Sequence, residues 1–358
     1  MAYMNVDEIE AALEALAAAH PGETELILLP NRTAEGRQSH ALRIGPADAD
    51  GANAICFTGG LHAREWVPPD ALVNLAADLL EAHARGTGLR YGGQRFSADD
   101  IRGVVENLQV VLFPCVNPDG RHHSQSAEPM WRKNRRRTSP GSPCVGVDIN
   151  RNFDACWDFR RHFAADSHVS ASDNPCDPQV YVGPAAASEP ETRNVVALFD
   201  RYPRLHWFVD VHSYVPAMYF NWGFDVNQTA DASMSFRNPA FDGQRGRGGD
   251  AYREFIQPDD LQTLKRLGGV VTAAITAADG EQYELEQSFA LYPTSGTSDD
   301  YAYSRHFAQG GGNGKILGFC IECGRSFQPT WTQAENVIRE VCAGLTALCV
   351  AVAAEPGA

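Results

Sequence analysis

The stretch Gly59-Gly60-Leu61-His62-Ala63-Arg64-Glu65-Trp66 decides the fold class, because it joins a strand pattern to a helical pattern. Residues 54–58, before it, are mostly apolar and predict a short buried strand. Pro68-Pro69-Asp70, after it, opens a helical pattern that runs to Arg85. Loops of this kind gather ligands at the carboxyl edge of open α/β sheets. His62 and Glu65 are therefore a candidate metal pair, since imidazole nitrogen and carboxylate oxygen suit Zn²⁺.

A second strand pattern, Val209-Asp210-Val211-His212, ends in a histidine that can supply a third ligand. Two histidines and one glutamate leave the fourth position of a tetrahedral zinc open for water, which is typical of catalytic sites. Taken alone, His212 is more typical of a core or loop histidine. The His-x-x-Glu spacing also recurs at His20 and Glu23, where it ends the first predicted helix. The metal prediction therefore depends on the rest of the chain.

Further segments follow one another in a recognisable order. They are Glu35-Gly36-Arg37, Asn117-Pro118-Asp119-Gly120, Trp131-Arg132-Lys133, Gly146-Val147-Asp148-Ile149-Asn150-Arg151-Asn152-Phe153, Tyr181-Val182-Gly183-Pro184, Ser188-Glu189-Pro190-Glu191-Thr192, His212-Ser213-Tyr214, Tyr292-Pro293-Thr294-Ser295-Gly296 and Glu322. In content and order they resemble the zinc metallocarboxypeptidases of the carboxypeptidase A/B type, peptidase family M14. The resemblance covers nearly the whole chain, and so many matches in order make a chance likeness untenable.

The resemblance implies a catalytic centre with one Zn²⁺ per chain. It implies that His62, Glu65 and His212 hold the metal and that Glu322 is the general base. It also implies that Arg132 stabilises the oxyanion that develops when a peptide bond is hydrolysed. Removing one such donor commonly costs about 3 to 4 kcal/mol of transition-state stabilisation.

The resemblance also implies the residues that contact a peptide substrate. Asn150 and Arg151 grip its terminal carboxylate, Tyr292 closes over the bound residue, and Arg64 lines the site nearby. A planar guanidinium suits this task because it can donate two parallel hydrogen bonds to a carboxylate. Asp148 is expected to orient a ligand imidazole, although a helix or turn cap explains this residue equally well. Arg151 alone would be typical of a surface ion pair, and Tyr292 alone of a core residue.

The resemblance further predicts a preference for C-terminal Lys or Arg. Asp299 lies seven positions after Tyr292, where the family places the base of the pocket for the terminal side chain. A buried carboxylate is costly unless a cation meets it, so a basic end is favoured there. A shifted loop would bring Asp300, or neither carboxylate, to the pocket.

Two other functions are compatible with a zinc core of this kind. One is a related zinc amide hydrolase that cleaves peptidoglycan or side-chain amides, and the other is an inactive zinc-binding recognition module. Asn150 and Arg151 favour the exopeptidase over the first alternative. Glu322 and Arg132 argue against the second, because binding alone needs neither a base nor an oxyanion donor.

Three features are less regular. The family's Phe-Glu-Leu-Arg around the base reads Ile321-Glu322-Cys323-Gly324, and residues 223–257 form an extra segment. We interpret that segment, which contains Arg245, Arg247 and Arg253, as a surface loop that either decorates the fold or forms the rim of the cleft. Cys144 and Cys176 lie where many family members carry a disulfide, while the remaining cysteines are expected to be reduced.

Composition limits the kinds of partner. The chain has 358 residues, 44% hydrophobic and 21% charged, which predicts a globular protein, and without a linker residues 1–358 are expected to be one catalytic domain. A net charge of -15 argues against nucleic acid as a partner, although residues 132–137 are a basic run. We expect no membrane-spanning run, no signal peptide and no propeptide. The expected partners are peptides, and the location is cytoplasmic unless this is the processed form of a secreted protein.

Strand and helix patterns alternate along the chain. Strand patterns lie at residues 25–29, 40–44, 54–58, 109–116, 206–211 and 316–321, and helical patterns at 5–20, 69–85, 189–201, 259–278 and 332–354. This order predicts an α/β fold with helices on both faces of a sheet, and the first two strands are close enough to form a hairpin. The sheet is therefore expected to be mixed and mostly parallel, with about eight strands as in the family.

Overall fold

One eight-stranded sheet organises the chain. The computed structural model describes residues 3–47, 51–137, 141–308 and 313–355. The helices are α1 (Val6–Ala19), α2 (Val67–Arg85), α3 (Ala98–Asn107), α4 (Pro118–Ser126), α5 (Phe159–His162), α6 (Pro190–Arg201), α7 (Pro258–Asp279), α8 (Ser298–Ser304) and α9 (Trp331–Ala353). The strands are β1 (Thr24–Leu28), β2 (His40–Ile44), β3 (Asn53–Gly59), β4 (Leu89–Tyr91), β5 (Gln94–Phe96), β6 (Leu108–Phe113), β7 (Leu205–His212), β8 (Ala217–Phe220), β9 (Asn227–Gln228), β10 (Glu254–Phe255), β11 (Glu284–Gln287) and β12 (Leu317–Glu322).

The sheet is mixed, as predicted. Its strand order is β1-β2-β6-β3-β7-β12-β8-β11, and the four central strands β6, β3, β7 and β12 run parallel. The first two strands pair antiparallel, as their proximity in sequence indicates. All six predicted strands are present, whereas β8 and β11 were missed because each has only four residues. Central strand β3 is buried at every position, since helices cover both faces of the sheet.

Helices pack on the two faces around two apolar clusters. The larger cluster draws on α1, α2, α3, α7 and α9, and the smaller one on α6 and α8. In the larger cluster, α9 packs closely on α7 at Gly344, where an added Cβ would lie 2.9 Å from Val271 Cγ1. The prediction of helices on both faces is therefore confirmed.

Helix α9 corrects the expectation that no apolar run reaches membrane-spanning length. By length and composition alone, judged over a window of 18 residues, this helix is long and apolar enough to cross a membrane. However, 67% of that window is buried inside the protein, where α9 packs against α2 and α7. Its apolar character is explained by the core, because a helix surrounded by other elements is apolar on most of its faces.

The extra segment, residues 223–257, is more ordered than a surface loop. Its short strands β9 and β10 pair in parallel, and the Arg245 guanidinium donates to the Glu254 carboxylate at 3.1 Å with both residues fully buried. The interpretation of Arg245 as a surface-loop residue is therefore wrong, whereas Arg247 and Arg253 are exposed. The burial arises because Arg245 also donates to the carbonyls of Ser235 and Phe241, which folds the segment around its side chain.

Candidate metal centre and active site

Neighbouring parallel strands end at one edge of the sheet and bring four predicted residues together. His62 and Glu65 lie in the loop between β3 and α2, and His212 is the last residue of β7. Glu322 is the last residue of β12 and is the direct register partner of His212. Because β3, β7 and β12 are adjacent and parallel, residues far apart in sequence meet at their carboxyl ends.

His62, Glu65 and His212 converge on one point. Glu65 Oε1 lies 2.7 Å from His62 Nδ1, Glu65 Oε2 lies 3.0 Å from His212 Nδ1, and the two Nδ1 atoms are 3.0 Å apart. All three side chains are buried, and within the described ranges they are the one group of His, Cys, Asp and Glu residues close enough to hold a metal ion. Two imidazole nitrogens that face each other beside a carboxylate suit a shared cation, and this N₂O donor set fits Zn²⁺.

A second carboxylate lies behind each imidazole. His62 Nε2 is 3.3 Å from Asp148 Oδ1, and His212 Nε2 is 2.9 Å from Asp210 Oδ2. Such contacts fix which ring nitrogen faces a metal. Asp148 was predicted in this position, but Asp210 was missed. The strand period could have found it, because residues 210 and 212 of β7 point to the same face.

Asp210 is itself held by hydroxyl groups. Thr58 Oγ1 donates to Asp210 Oδ1 at 2.8 Å, and Ser298 Oγ donates to Asp210 Oδ2 at 2.5 Å. Both partners are buried, one at the end of β3 and the other at the start of α8. The orientation of His212 is therefore set by three separate elements of the fold.

The charges at this centre favour ionised carboxylates. Burial opposes ionisation of Glu65, but the imidazoles of His62 and His212 outweigh it and hold the pKa of Glu65 well below its usual range. Burial likewise opposes ionisation of Asp148, yet Arg132 and then His62 keep its pKa well below the usual range. Both groups are therefore anionic near neutral pH and able to attract a cation.

Glu322 and Arg132 line a cavity of about 460 Å³ beside the three convergent donors. Burial, reinforced by the Glu65 carboxylate, raises the pKa of Glu322 to about 8. A bound divalent cation would lower this value, since positive charge favours the carboxylate. Arg132 donates to Asp148 Oδ2 from Nε at 3.0 Å and from Nη2 at 2.8 Å, so its guanidinium is fixed with an edge in the cavity.

Asn150, Arg151 and Tyr292 line the same cavity. Asn150 is anchored because its Oδ1 accepts from the backbone N–H of Ser298 at 2.9 Å. Arg151 Nε donates to the Ser170 carbonyl at 2.5 Å, and its Cζ lies 6.0 Å from the centre of the Tyr292 ring. Arg151 is 2% exposed while Tyr292 is 38% exposed, so a buried cation lies beneath a more accessible ring.

Arg64 lies outside the set of cavity-lining residues in the described structure. Its Nη1 donates to Gln179 Oε1 at 2.8 Å, and its Cζ lies 4.2 Å from the centre of the Phe327 ring. Burial and the charge of Arg132 lower the pKa of Arg64, and the backbone N–H of the adjacent Ala63 donates to the Arg132 carbonyl at 2.9 Å. The structure therefore places Arg64 near the site, as expected, but not in the wall of the cavity.

The two aspartates at the start of α8 point in different directions. Asp299 lines the cavity, and its Oδ2 accepts from Ser288 Oγ at 3.2 Å. Asp300 instead accepts from the Gly223 backbone N–H at 3.0 Å and from Asn221 Nδ2 at 3.0 Å, away from the cavity. Of the two carboxylates considered, the structure brings Asp299 to the site.

The sequence analysis assigned no site role to six other cavity residues, which are Tyr219, Ser288, Leu291, Thr294, Thr297 and Cys320. Tyr219 and Cys320 are direct antiparallel partners on β8 and β12, so their side chains share the cavity face of the sheet. Alternation along β12 could have found Cys320, since it lies two residues before Glu322. Strand β8 was not predicted, and so Tyr219 and its register could not be found from the sequence.

The three less regular features of the sequence lie outside the cavity. Cys144 and Cys176 form a disulfide with their Cα atoms 4.7 Å apart, at the positions implied by the family resemblance. Residues 223–257, which are all described, contribute no side chain to the cavity wall. Cys323, the departure beside Glu322, is a buried member of the larger apolar cluster.

The fold and the site together define a metal-dependent hydrolase, with a buried N₂O donor set beside a carboxylate and a guanidinium. A family model described as zinc carboxypeptidase matches residues 9–344. The chain is 30% identical to carboxypeptidase B of Astacus astacus over 84% of this chain and 81% of that protein. It is 26% identical to carboxypeptidase A4 of Mus musculus over 84% of this chain, but it spans 60% of that longer protein.

Solved structures give the same fold. Thrombin activatable fibrinolysis inhibitor matches with a TM-score of 0.74 at 20% identity, covering 98% of this chain and 74% of that chain. Carboxypeptidase A of Helicoverpa armigera matches with a TM-score of 0.72 at 21% identity, again covering 98% and 74% of the two chains. The chain therefore belongs to the zinc carboxypeptidase family and is a zinc metallocarboxypeptidase, a metal-dependent exopeptidase with one zinc ion.

Proposed function

We propose that this chain removes single residues from the C-termini of peptides and prefers substrates that end in Lys or Arg. The observation that carries the proposal is the cavity itself. His62 of the convergent donors and Glu322 line it, and its wall also carries a buried arginine, Arg151, and a buried carboxylate, Asp299. Such a cavity complements a C-terminal residue with a free carboxylate and a basic side chain.

His62, Glu65 and His212 are proposed to hold the zinc ion. Their ligand atoms all lie within 4.8 Å of one another, and their imidazoles are oriented by Asp148 and Asp210. When bound, the ion lowers the pKa of a coordinated water and polarises the substrate carbonyl.

Glu322 is proposed as the general base. It lies in the cavity beside the donor set, where it can take a proton from the attacking water and later deliver it to the leaving nitrogen. Arg132 is proposed to stabilise the oxyanion. The guanidinium is already fixed by Asp148, so little reorganisation is needed when negative charge develops.

Arg151 and Asn150 are proposed to bind the terminal carboxylate of the substrate. A buried guanidinium strengthens a charge-assisted hydrogen bond, and substrates without a free carboxylate would leave that charge unpaired. Tyr292, which is partly exposed above Arg151, is proposed to close over the bound residue. Arg64 is proposed to contact residues of the peptide nearer its N-terminus, from outside the cavity wall.

Asp299 supports the proposed preference for substrates whose C-terminal residue is Lys or Arg. It is 4% exposed, and within the described ranges no Lys, Arg or His forms an ion pair with it. Its hydrogen bond from Ser288 leaves most of the carboxylate's capacity free for a cation. Both A-type and B-type carboxypeptidases are among the relatives, so this preference depends on the cavity and not on the family match.

Short N-terminally blocked peptides that differ only in their last residue test the proposal. Products are identified by mass spectrometry, and kcat/KM is measured for ends of Arg, Lys, Phe and Leu and for the corresponding Arg amide. We expect loss of one C-terminal residue, fastest for Arg and Lys, and very slow cleavage of the amide. Internal or side-chain amide cleavage would contradict the exopeptidase assignment. A preference for Phe or Leu would refute the basic pocket while leaving the exopeptidase assignment intact.

A further inference from the structure

A second cavity lies at the opposite edge of the sheet from the metal centre. It has a volume of about 500 Å³, and its wall combines the apolar Phe199, Leu205 and Ile316 with the charged Asp200 and Arg305 and the polar Tyr202 and Asn313. Leu205 begins β7, whereas His212 ends it. A strand rises about 3.3 Å per residue, so the two cavities are separated by roughly 20 to 25 Å.

Arg305 is the charged side chain that sets this cavity apart. It is 6% exposed, and its Nη2 donates to Asp200 Oδ1 and to Asn313 Oδ1. Its Nε and Nη1 are buried without a hydrogen-bond partner in the described parts of the chain. Buried donors normally have partners, and leaving one unpaired is destabilising.

The guanidinium is held in place by aromatic rings. Arg305 Cζ lies 5.7 Å from the centre of the Phe199 ring and 5.8 Å from that of Tyr301. These two rings are stacked with their planes 14° apart, and the cation lies at nearly equal distances from both ring centres. The position of the unpaired donors is therefore fixed by packing, which lowers the entropic cost of binding a ligand.

Among the residues that the structure describes, one carboxylate, that of Asp200, pairs with Arg305, and it compensates the arginine charge incompletely. The Asp200 side chain is 60% exposed, so water screens its negative charge, while the arginine is almost fully buried. A cation in this position attracts a further anion. The nearby Asp200 charge also opposes a ligand that carries more than one negative charge.

We propose that this second cavity binds a small monoanionic carboxylate with an apolar body. The carboxylate accepts hydrogen bonds from the free donors of Arg305, and the apolar body packs on Phe199, Leu205 and Ile316. A single cation beside Asp200 matches one negative charge, and the contacts offered by Phe199, Leu205 and Ile316 favour an organic anion over a hydrated inorganic one. The proposal is independent of the peptidase assignment, since no residue of the metal centre lines this cavity.

Benzoate is a suitable probe, and titration calorimetry on the zinc-loaded protein measures its binding. The catalytic cavity also contains a carboxylate-binding arginine, so the titration is repeated in an Arg151→Ala variant. We expect benzoate binding to persist in Arg151→Ala. It should weaken at least tenfold in Arg305→Gln, and inorganic phosphate should bind more weakly than benzoate.

Asp200→Asn is the matched variant, and it is expected to change the affinity for benzoate in the direction opposite to Arg305→Gln. It removes the competing charge from an exposed position, so benzoate should bind several-fold more tightly than to the parent. This variant also decides the question if Arg305→Gln does not fold. The proposal is overturned if benzoate fails to bind, if Arg151→Ala abolishes binding, if Arg305→Gln or Asp200→Asn leaves the affinity unchanged, or if phosphate binds more tightly.

Discussion

Replacing Asp299 by Asn tests the specificity of the proposed pocket most directly. The substitution keeps the size of the side chain but removes the carboxylate charge at a position that is 4% exposed. A hydrogen bond that involves a charged group contributes about 1.5 to 3 kcal/mol net, which corresponds to a factor of roughly 10 to 150. We therefore expect Asp299→Asn to lower kcat/KM for substrates ending in Arg by about that factor. Substrates ending in Phe should lose little, because they make no ion pair there.

The measured quantity is the ratio of kcat/KM for Arg-ended to Phe-ended peptides that are otherwise identical. Asp300→Asn is the matched control, because this neighbouring carboxyl is equally buried but bonds to Gly223 and Asn221 outside the cavity. Burial, reinforced by Asp299, raises the pKa of Asp300. Asp300→Asn should leave the ratio unchanged within about twofold. If Asp299→Asn kept the parental ratio, another group would supply the charge and the pocket assignment would be refuted.

Four further predictions concern the metal centre, the pH dependence of stability and the disulfide. Glu65→Ala should lose both zinc and activity, and full zinc occupancy by elemental analysis in this variant would contradict its role as a ligand. Glu322→Gln should keep zinc and bind substrate while kcat falls by about 10² to 10⁴, and near-normal turnover would remove Glu322 as the base. Burial raises the pKa of Glu191 from 4.5 to about 8, so the free energy of unfolding should fall as pH rises between these values. In the Glu191→Gln variant, the free energy of unfolding measured by urea titration should differ less between pH 6 and pH 9 than it does in the parent. An unchanged difference would contradict the raised pKa of Glu191. Replacing Cys144 and Cys176 together by Ser should lower the free energy of unfolding by about 3 to 4 kcal/mol, measured by urea unfolding with zinc retained. A loss below about 1 kcal/mol would show that the disulfide does not constrain the unfolded chain as that model requires.

Much of the fold followed from local sequence patterns. The six longer strands and the principal helices were predictable, because buried strands are continuous apolar runs and amphipathic helices repeat every 3.6 residues. Short strands β8 and β11 were not, since four residues carry too little periodicity to distinguish them from loops. The pairing of β8 with β12 and of β11 with β8 is a tertiary event, and the first of these pairs brings Tyr219 opposite Cys320 in the cavity wall.

The sequence by itself determined which chemical groups are available for the site. The spacing of His62 and Glu65, the strand ending in His212 and the basic and acidic residues of the later segments could all be identified without coordinates. Only the tertiary structure decided which of these groups meet. Parallel strands β3, β7 and β12 carry their terminal residues to one edge of the sheet, and the turn into α8 points Asp299 into the cavity and Asp300 away from it. The sequence alone also could not predict the roles of Asp210 and Arg305, because these roles depend on burial and on partners contributed by distant elements. Composition and spacing specify donors and acceptors, but the distance between them is set by the packing of the whole chain.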